Sequence, residues 1–357
     1  MNILGIETSC DDTSASIICD NNNPDERILS NVIETQISEH SPYGGVVPEI
    51  ASRCHINKLP DVIKTAMSEA ECSFDDIDAI AVTAGPGLIG GVIVGVMMAK
   101  AISSSADIPI IAVNHLEGHA LTARLTDDVS FPYLLLLISG GHCQILIVEN
   151  AGKYELIGKT IDDALGEAFD KTAKMLGLGY PGGPIVEQRA LNGDKKRFKF
   201  PRPLINRQHK EHTNNISECD FSFSGLKTAV LRQIEKIQLE NGSLTEQDID
   251  DICASFQFTC GDIITNRMER AINIFRQKYP DAENIVIAGG VSANQYLKSR
   301  MDETAKPYNM KVFSPPLKLC TDNAAMIAWA GLEKIKLNPD DYAPMDFIPR
   351  ARWSLVE

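Results

Sequence analysis

The chain has 357 residues, which is enough for two domains or one large duplicated fold. Its hydrophobic content of 44% and charged content of 23% are those of an ordinary globular protein, and no apolar run reaches the length of a membrane span. The formal net charge is -14, so the molecule as a whole should repel nucleic acid, and a nucleic-acid surface would have to be a local basic patch. Nine cysteines without a C-x-x-C pair are typical of reduced thiols in a cytoplasmic protein.

The chain opens with a predicted hairpin. Residues 3–7 form an apolar strand that ends at Glu7, residues 8–13 form a polar turn, and residues 14–19 return as a second strand. With no basic residues before the apolar run and a glutamate within it, this start does not resemble a signal peptide. The turn carries two adjacent carboxylates, Asp11 and Asp12.

The same order of elements occurs twice. In the first half, the hairpin is followed by a strand (80–84), a glycine loop (85–91), a helix that ends at about residue 104, a strand (108–113) and a helix that begins at residue 115. In the second half, a hairpin (133–149) is followed by a strand (285–288), a glycine loop (289–294), a helix that ends at about residue 304, a strand (310–313) and a helix that begins at about residue 322. This repetition predicts a duplicated α/β fold with two lobes around a central cleft, residues 1–125 and residues 126–357.

The second lobe contains a predicted insertion, roughly residues 162–280. Its pattern is mostly helical, with helices over 164–176, 184–191, 225–238 and, with breaks, 247–279.

Two histidines one helical turn apart, His115 and His119, begin the helix that follows strand 108–113. At positions i and i+4 both imidazoles lie on one helix face, a spacing that suits two ligands of one divalent metal. The zinc-protease pattern H-E-x-x-H is absent, because Glu117 lies two positions after the first histidine. Two histidines leave a site open for a carboxylate and a substrate.

Asp322 is the predicted third ligand. If the halves are related by a pseudo-twofold axis, the helix that begins near Asp322 faces the histidine helix. The alternative is that Asp322 is only an N-cap or a first-turn acid of its own helix.

Glycine-rich turns over 139–141, 179–184 and 289–290 leave backbone N–H groups open to an anion. No P-loop and no G-x-G-x-x-G pattern is present, so the turns favour a nucleotide held mainly by backbone groups. Asp170, on a predicted helix, could accept hydrogen bonds from a ribose, or it could be a helix acid paired with Lys174.

Residues 195–212 carry seven lysines and arginines with Phe198 and Phe200 among them. Cations for phosphates and aromatic rings for bases suit an RNA contact. The alternative is a solvated loop whose phenylalanines pack on the core. The segment Arg350-Ala351-Arg352-Trp353 is a second, weaker candidate.

Taken together, these motifs resemble those of the TsaD family of tRNA threonylcarbamoyladenosine transferases, formerly described as Gcp, an O-sialoglycoprotein endopeptidase. The resemblance runs from end to end, over residues 5–13, 43–49, 114–119, 139–142, 179–184, 221–227, 289–294 and 321–326. It implies the duplicated fold of actin, Hsp70 and sugar kinases. It also implies transfer of a threonylcarbamoyl group from threonylcarbamoyl-AMP to N6 of adenosine 37, in tRNAs that read codons beginning with A.

The resemblance further implies site residues and partners. His115, His119 and Asp322 would bind one divalent ion, Fe²⁺ or alternatively Zn²⁺. The nucleotide-linked substrate would be held by Leu137, Ile138, Ser139, Gly140, Gly141, Asp170, Gly183, Glu187 and Asn294. In bacteria the protein partners would be a smaller paralogue of the same fold, TsaB, and a P-loop ATPase, TsaE. The general base is not identified, and Asp11 or Asp12 could supply it.

Three other classes of protein remain open on the sequence. A sugar or acetate kinase of the same fold has no use for the histidine pair. A metalloprotease, or glycoprotease, would explain a metal but not the glycine turns. An ATP-dependent scaffold would explain the turns but not three ligands.

Overall fold

A computed structural model describes residues 1–205 and 216–356, which divide into two compact units. The first unit contains Met1–Phe131, Glu149–Tyr154 and the segment from Pro315 onward, and the second contains Pro132–Val148 and Glu155–Ser314. Each unit is built on one five-stranded sheet.

The first unit begins with nine elements. They are β1 (Asn2–Glu7), β2 (Asp12–Cys19), β3 (Ile28–Thr35), α1 (Ile37–His40), α2 (Pro48–Glu69), β4 (Ala79–Gly85), α3 (Ile89–Ala106), β5 (Ile110–Asn114) and α4 (His115–Asp127). The strand order is β3-β2-β1-β4-β5. Strands β1, β2 and β3 pair antiparallel, whereas β4 runs parallel to β1 and β5 runs parallel to β4. The central strand β1 is buried from Ile3 to Glu7, so Glu7 ends its strand inside the protein.

The second unit continues the chain. Its elements are β6 (Tyr133–Ile138), β7 (Cys143–Asn150), β8 (Lys153–Lys159), α5 (Leu165–Met175), α6 (Gly182–Ala190), α7 (Ser224–Asn241), α8 (Glu246–Lys278), β9 (Asn284–Ala288), α9 (Gln295–Ala305) and β10 (Lys311–Phe313). The strand order is β10-β9-β6-β7-β8, with β6 and β7 antiparallel and with β9 parallel to both β6 and β10. This order repeats that of the first sheet, so the predicted duplication is confirmed.

The last two helices are α10 (Leu317–Cys320) and α11 (Ala324–Leu337). They group with the first unit, although the sequence reasoning placed them in the second lobe. The physical reason is burial: α11 is apolar and buried on all sides from Ala324 to Leu332, because it packs on β1, β2 and β4 on one side and on α4 on the other. The pair Arg124–Glu333 joins α4 to α11, with an Nη2–Oε1 distance of 3.0 Å.

The predicted helices of the insertion are all present, and the expected breaks in the last one are absent. Helix α8 runs unbroken for 33 residues, from a capping box between Thr245 and Asp248 to its end at Lys278. Strands β3 and β8 and helix α2 were not anticipated.

Within the described part of the chain, one helix, α3, is long and apolar enough to cross a membrane by length and composition alone. One face of α3 is buried against β4 and α2, through residues such as Val92, Val96 and Ala99. The other face exposes Ile89, Ile93 and Met97. This is the pattern of a helix that covers a sheet. All nine cysteines lie in the described residues, and none of them forms a disulfide.

Candidate metal centre and nucleotide loops

The histidine pair begins α4, as predicted. Asn114 ends β5 and caps the helix, and its side chain accepts a hydrogen bond from the Leu116 N–H at 2.9 Å. The turn from β5 to α4 therefore places the first two turns of the helix in the interior of the first unit. His115 and His119 are both buried, with ring centroids 4.8 Å apart.

Asp322 lies beside both imidazoles. Its Oδ1 is 3.1 Å from His119 Nε2 and 3.5 Å from His115 Nε2. The N-cap of α11 is Asn323, which accepts a hydrogen bond from the Met326 N–H at 3.0 Å, so Asp322 is not the cap. All three residues belong to the first unit.

The donor set fits a divalent metal. The three potential ligand atoms lie within 4.8 Å of one another. Bonds of about 2.0–2.2 Å at tetrahedral angles would place such atoms roughly 3.4 Å apart, so a small contraction would bring them around one ion. Imidazole nitrogen and carboxylate oxygen are ligands of both iron and zinc.

The carboxylates around His115 favour positive charge at this point. Burial by itself lowers the pKa of His115, but attraction to Asp322 and Glu7 and a hydrogen bond with Glu7 raise it to about 9. Burial likewise raises the pKa of Glu7, yet the interaction with His115 outweighs it and the pKa of Glu7 is lowered. The negative groups that stabilise the imidazolium would also stabilise a metal cation, which binds the ring after that proton is released.

Glu7 was missed as a functional residue by the sequence reasoning. Its side chain is completely buried, and its Oε2 lies 2.9 Å from His115 Nδ1. Thr83 donates a hydrogen bond to the same oxygen at 2.5 Å, and the Ser9 N–H donates to Oε1 at 2.5 Å. The available signal was an acidic residue at the end of an otherwise apolar, buried strand.

Close backbone approaches position α11 and therefore Asp322. A Cβ on Gly5 would lie 2.2 Å from the Ala324 carbonyl oxygen, and a Cβ on Gly118 would lie 2.8 Å from Ile327 Cδ1. The Ser14 hydroxyl accepts a hydrogen bond from the Ala324 N–H at 2.9 Å. The close approach of Ile327 leaves little room for a side chain at Gly118, between the two histidines.

Glu117 faces away from the histidines. It accepts hydrogen bonds from the Gly152 N–H at 2.9 Å and from the Tyr154 hydroxyl at 2.8 Å. Glu117 is thus used to hold residues 149–154 against α4, and the arrangement is unlike that of a zinc protease.

The two candidate bases are Asp11, in the turn between β1 and β2, and Asp12, the first residue of β2. Burial, together with repulsion from Asp322 and Asp11, raises the pKa of Asp12 to about 7. His55 supports the turn, since its Nε2 is 3.0 Å from the Cys10 carbonyl oxygen and its Nδ1 is 2.8 Å from Thr13 Oγ1. In the metal-free protein, Asp12 can therefore exchange a proton near neutral pH.

The predicted nucleotide residues lie in the second unit, around the carboxyl end of β6. Leu137 and Ile138 are buried in the strand, whereas Gly140 and Gly141 are exposed and a Cβ on either would meet nothing within 4 Å. Ser139 turns the chain, because its N–H donates to the His142 carbonyl at 2.8 Å. The backbone of the two glycines is thus open to a ligand.

Other predicted substrate residues already serve the fold. Asp170 Oδ1 accepts the Gly182 N–H at 2.8 Å, one residue before Gly183. Glu187 Oε1 accepts the Gln295 N–H at 2.7 Å, at the start of α9. Asn294 caps α9 and donates to the Gln257 side chain at 2.9 Å. Each residue therefore helps to place a helix N-terminus.

The basic segment is only partly available for RNA. Arg197 pairs with Asp248 and Asp251 at 2.5 and 2.6 Å, and Arg202 pairs with Asp262 at 2.7 Å. The rings of Phe198 and Phe200 pack against the core of the second unit, so they do not serve as a platform for bases. All five cations in the described part of this segment are exposed, but the two arginines are held in these ion pairs, which leaves Lys195, Lys196 and Lys199 for phosphate contacts. Residues 206–212 of the predicted segment lie outside the described residues.

The weaker candidate near the C-terminus is held on the first sheet. The Arg350 N–H donates to the Ala84 carbonyl at 2.7 Å, and the Arg350 guanidinium lies 5.1 Å from the centre of the Trp353 ring.

Comparisons with solved structures bear on the fold. Full-length HypF, in its phosphate- and nucleotide-bound form, has a TM-score of 0.58 and 14% sequence identity, over 96% of this chain and 47% of HypF. HypF from T. kodakarensis has a TM-score of 0.57 and 12% identity, over 95% of this chain and 48% of that one. This similarity shows the duplicated actin-like ATPase fold alone.

Comparisons of sequence identify the family. Residues 27–329 match the family described as TsaD: tRNA N6-adenosine threonylcarbamoyltransferase. A protein of that name from Brucella anthropi is 53% identical over 100% of this chain and 96% of its own length. Another from Brucella canis is 52% identical over the same shares. The chain therefore belongs to the TsaD family of tRNA N6-adenosine threonylcarbamoyltransferases.

Proposed function

We propose that this protein transfers the threonylcarbamoyl group from threonylcarbamoyl-AMP to N6 of adenosine 37, in tRNAs that read codons beginning with A. The observation that carries the proposal is the similarity to named transferases over the whole length of the chain. The residues of the candidate sites supply matching chemistry. In the reaction, a bond forms between N6 and the carbamoyl carbon, the bond from that carbon to the phosphate oxygen breaks, and N6 loses a proton.

His115, His119 and Asp322 would hold one divalent metal ion. Their spacing and donor types support the assignment. When bound, the ion supplies Lewis-acid stabilisation of the negative charge that develops on oxygen during acyl transfer. Iron is the metal that we propose, with zinc as the alternative, since the same three ligands suit both.

Asp12 is proposed to accept the N6 proton. An exocyclic adenine amine is a poor nucleophile, and a carboxylate that removes its proton during attack would assist it. Burial raises the pKa of Asp12 toward neutrality, which suits this task, and Asp11 is the residue before it in the chain.

The nucleotide part of the substrate is proposed to bind the second unit. The open backbone at Gly140 and Gly141 would hold the phosphate, and Asp170 would accept hydrogen bonds from the ribose. Gly183, Glu187 and Asn294 would complete the site mainly by setting the N-termini of α6 and α9.

The proposed partners follow from the family. They are tRNA, the smaller paralogue TsaB and the P-loop ATPase TsaE, in the cytoplasm. For tRNA, the exposed lysines at 195, 196 and 199 offer phosphate contacts in an otherwise acidic chain. No membrane partner is proposed.

The test is Asp322→Asn, which keeps the size of the side chain and removes its charge. We expect the variant to lose most of its metal and nearly all transfer activity while it stays folded, because α11 is capped by Asn323. Metal is measured by elemental analysis. Activity is measured as AMP release and adenosine modification with tRNA, threonine, bicarbonate, ATP and the adenylate-forming enzyme.

Glu333→Gln is the matched control, because it removes a carboxylate outside the site from α11, the helix that follows Asp322. Full metal occupancy and normal modification of adenosine 37 in Asp322→Asn would show that the three-ligand site is wrong. Peptide-bond cleavage without AMP release by the wild-type protein would instead support a protease.

A further inference from the structure

We propose that Glu7 is a positioning residue of the metal centre, which holds His115 in the tautomer that binds metal through Nε2. The inference rests on the metal site proposed above and assigns a role to a residue that is not itself a ligand.

The contacts of Glu7 come from three separate parts of the chain. Oε1 accepts a hydrogen bond from the Ser9 N–H in the turn after β1, and Oε2 accepts one from the Thr83 hydroxyl on β4. The remaining contact of Oε2 is His115 Nδ1 on α4, at 2.9 Å. The Glu7 side chain is 0% exposed, so protein groups rather than water determine its orientation.

This geometry determines which imidazole nitrogen carries hydrogen. A carboxylate that already receives donors from two sides acts as an acceptor, so the third group facing it must also donate. His115 Nδ1 is therefore the N–H nitrogen, which faces Glu7 Oε2 at 2.9 Å and Ser9 Oγ at 3.1 Å, and the lone pair of the neutral ring is on Nε2. It is Nε2 that lies 3.5 Å from Asp322 Oδ1, on the side of the proposed metal.

The arrangement is a carboxylate–histidine–metal relay, in which the carboxylate orients the ring and increases the basicity of the ligating nitrogen. A purely structural role is the competing explanation, because the same contacts tie β1 to β4 and α4. The two explanations differ in one observable. A structural role affects stability alone, whereas a positioning role also changes the metal affinity of the folded protein.

The experiment compares Glu7→Gln with Glu117→Gln. Both variants replace a buried glutamate. Glu7 is hydrogen-bonded to a histidine of α4, whereas Glu117 lies on α4 and accepts its hydrogen bonds from Gly152 and Tyr154. The amide of glutamine has one acceptor oxygen, so it cannot accept from Ser9, Thr83 and His115 as the carboxylate does. Zinc affinity is measured by competition with a chromophoric chelator, and thermal unfolding of the metal-free proteins reports stability.

We expect Glu7→Gln to bind zinc about 10- to 100-fold more weakly than wild type, the usual effect of losing such a partner. Glu117→Gln should bind zinc like wild type. A folded Glu7→Gln protein with wild-type zinc affinity would overturn the inference while leaving the metal site intact. If the wild-type protein itself binds no zinc or iron, the metal proposal fails, and the role of Glu7 fails with it.

A second measurement does not depend on any variant folding. In ¹⁵N-histidine NMR of the zinc-loaded wild-type protein, His115 should show a protonated Nδ1 and a metal-bound Nε2. A metal-bound Nδ1 would overturn the inference.

Discussion

Gly5→Ala should impair metal binding although Gly5 touches no ligand. A Cβ at this position of β1 would lie 2.2 Å from the Ala324 carbonyl oxygen, 1.2 Å short of the 3.4 Å at which ordinary contact begins. The obstructing atom belongs to the backbone, so it cannot move away by a change of rotamer. The first turn of α11 would have to shift by about 1 Å, and overpacking of this kind costs about 1–3 kcal/mol of stability.

The shift should reach the metal because Asp322 lies two residues before Ala324. Metal–ligand distances are held to within about 0.2 Å, so a displacement several times larger removes Asp322 from the coordination sphere. We expect zinc affinity to fall by about tenfold or more, which is the usual loss when the groups that orient a metal ligand are disturbed. Competition with a chelator measures the affinity, and thermal unfolding measures the stability.

Gly331→Ala is the control for overpacking on the same helix. A Cβ on Gly331 would lie 2.7 Å from Ala81 Cβ, so a comparable loss of stability is expected. The position is nine residues beyond Asp322, about 13 Å along a helix, and metal affinity should be unchanged. A folded Gly5→Ala protein with wild-type zinc affinity would refute the reasoning.

Three further results are expected. Because burial raises the pKa of Asp12 to about 7, metal-free protein should lose stability as pH rises from about 4 to 7. Asp12→Asn should remove this loss, so that its free energy of unfolding in urea at pH 8 exceeds that of the wild type by about 2–4 kcal/mol. If the variant keeps the wild-type dependence of stability on pH, this expectation is wrong. Gly141→Ala has room for its Cβ, so it should keep the wild-type Tm but weaken adenylate binding about tenfold in calorimetry; unchanged affinity would place the phosphate elsewhere. Reversing the charge of Lys195 and Lys196 should lower tRNA affinity and flatten its salt dependence, whereas unaltered binding at fixed salt would exclude this surface.

Local patterns carried most of the fold prediction. Alternating and continuous apolar runs mark the strands, and glycine loops between strand and helix mark the repeated unit, because both depend on residues close in sequence. The His115–His119 pair was predictable for the same reason, since spacing by four residues determines a shared helix face.

Asp322 was predicted as a ligand, but by an argument about facing lobes. The structure places its helix on the first sheet, in the same unit as the histidines. Sequence periodicity cannot tell which sheet an all-apolar helix such as α11 will cover, since every face of it is buried.

The support of the site could not be predicted in detail. Glu7 meets Thr83 across 76 residues and His115 across 108, and such pairs are set by strand order and helix docking. Similarly, the sequence pattern predicted Arg197 as an RNA-binding cation, but its guanidinium forms ion pairs with Asp248 and Asp251 within the protein.

The separation of the proposed metal ligands along the chain has a consequence for biosynthesis. His119 and Asp322 are 203 residues apart, and the helix that follows Asp322 ends at Leu337. During synthesis the histidines therefore leave the ribosome long before their carboxylate partner, and the first sheet waits for α11 to cover it. Metal binding would thus occur late in folding, after Asp322 has packed beside the two histidines. Fragments that stop before α11 should therefore remain metal-free.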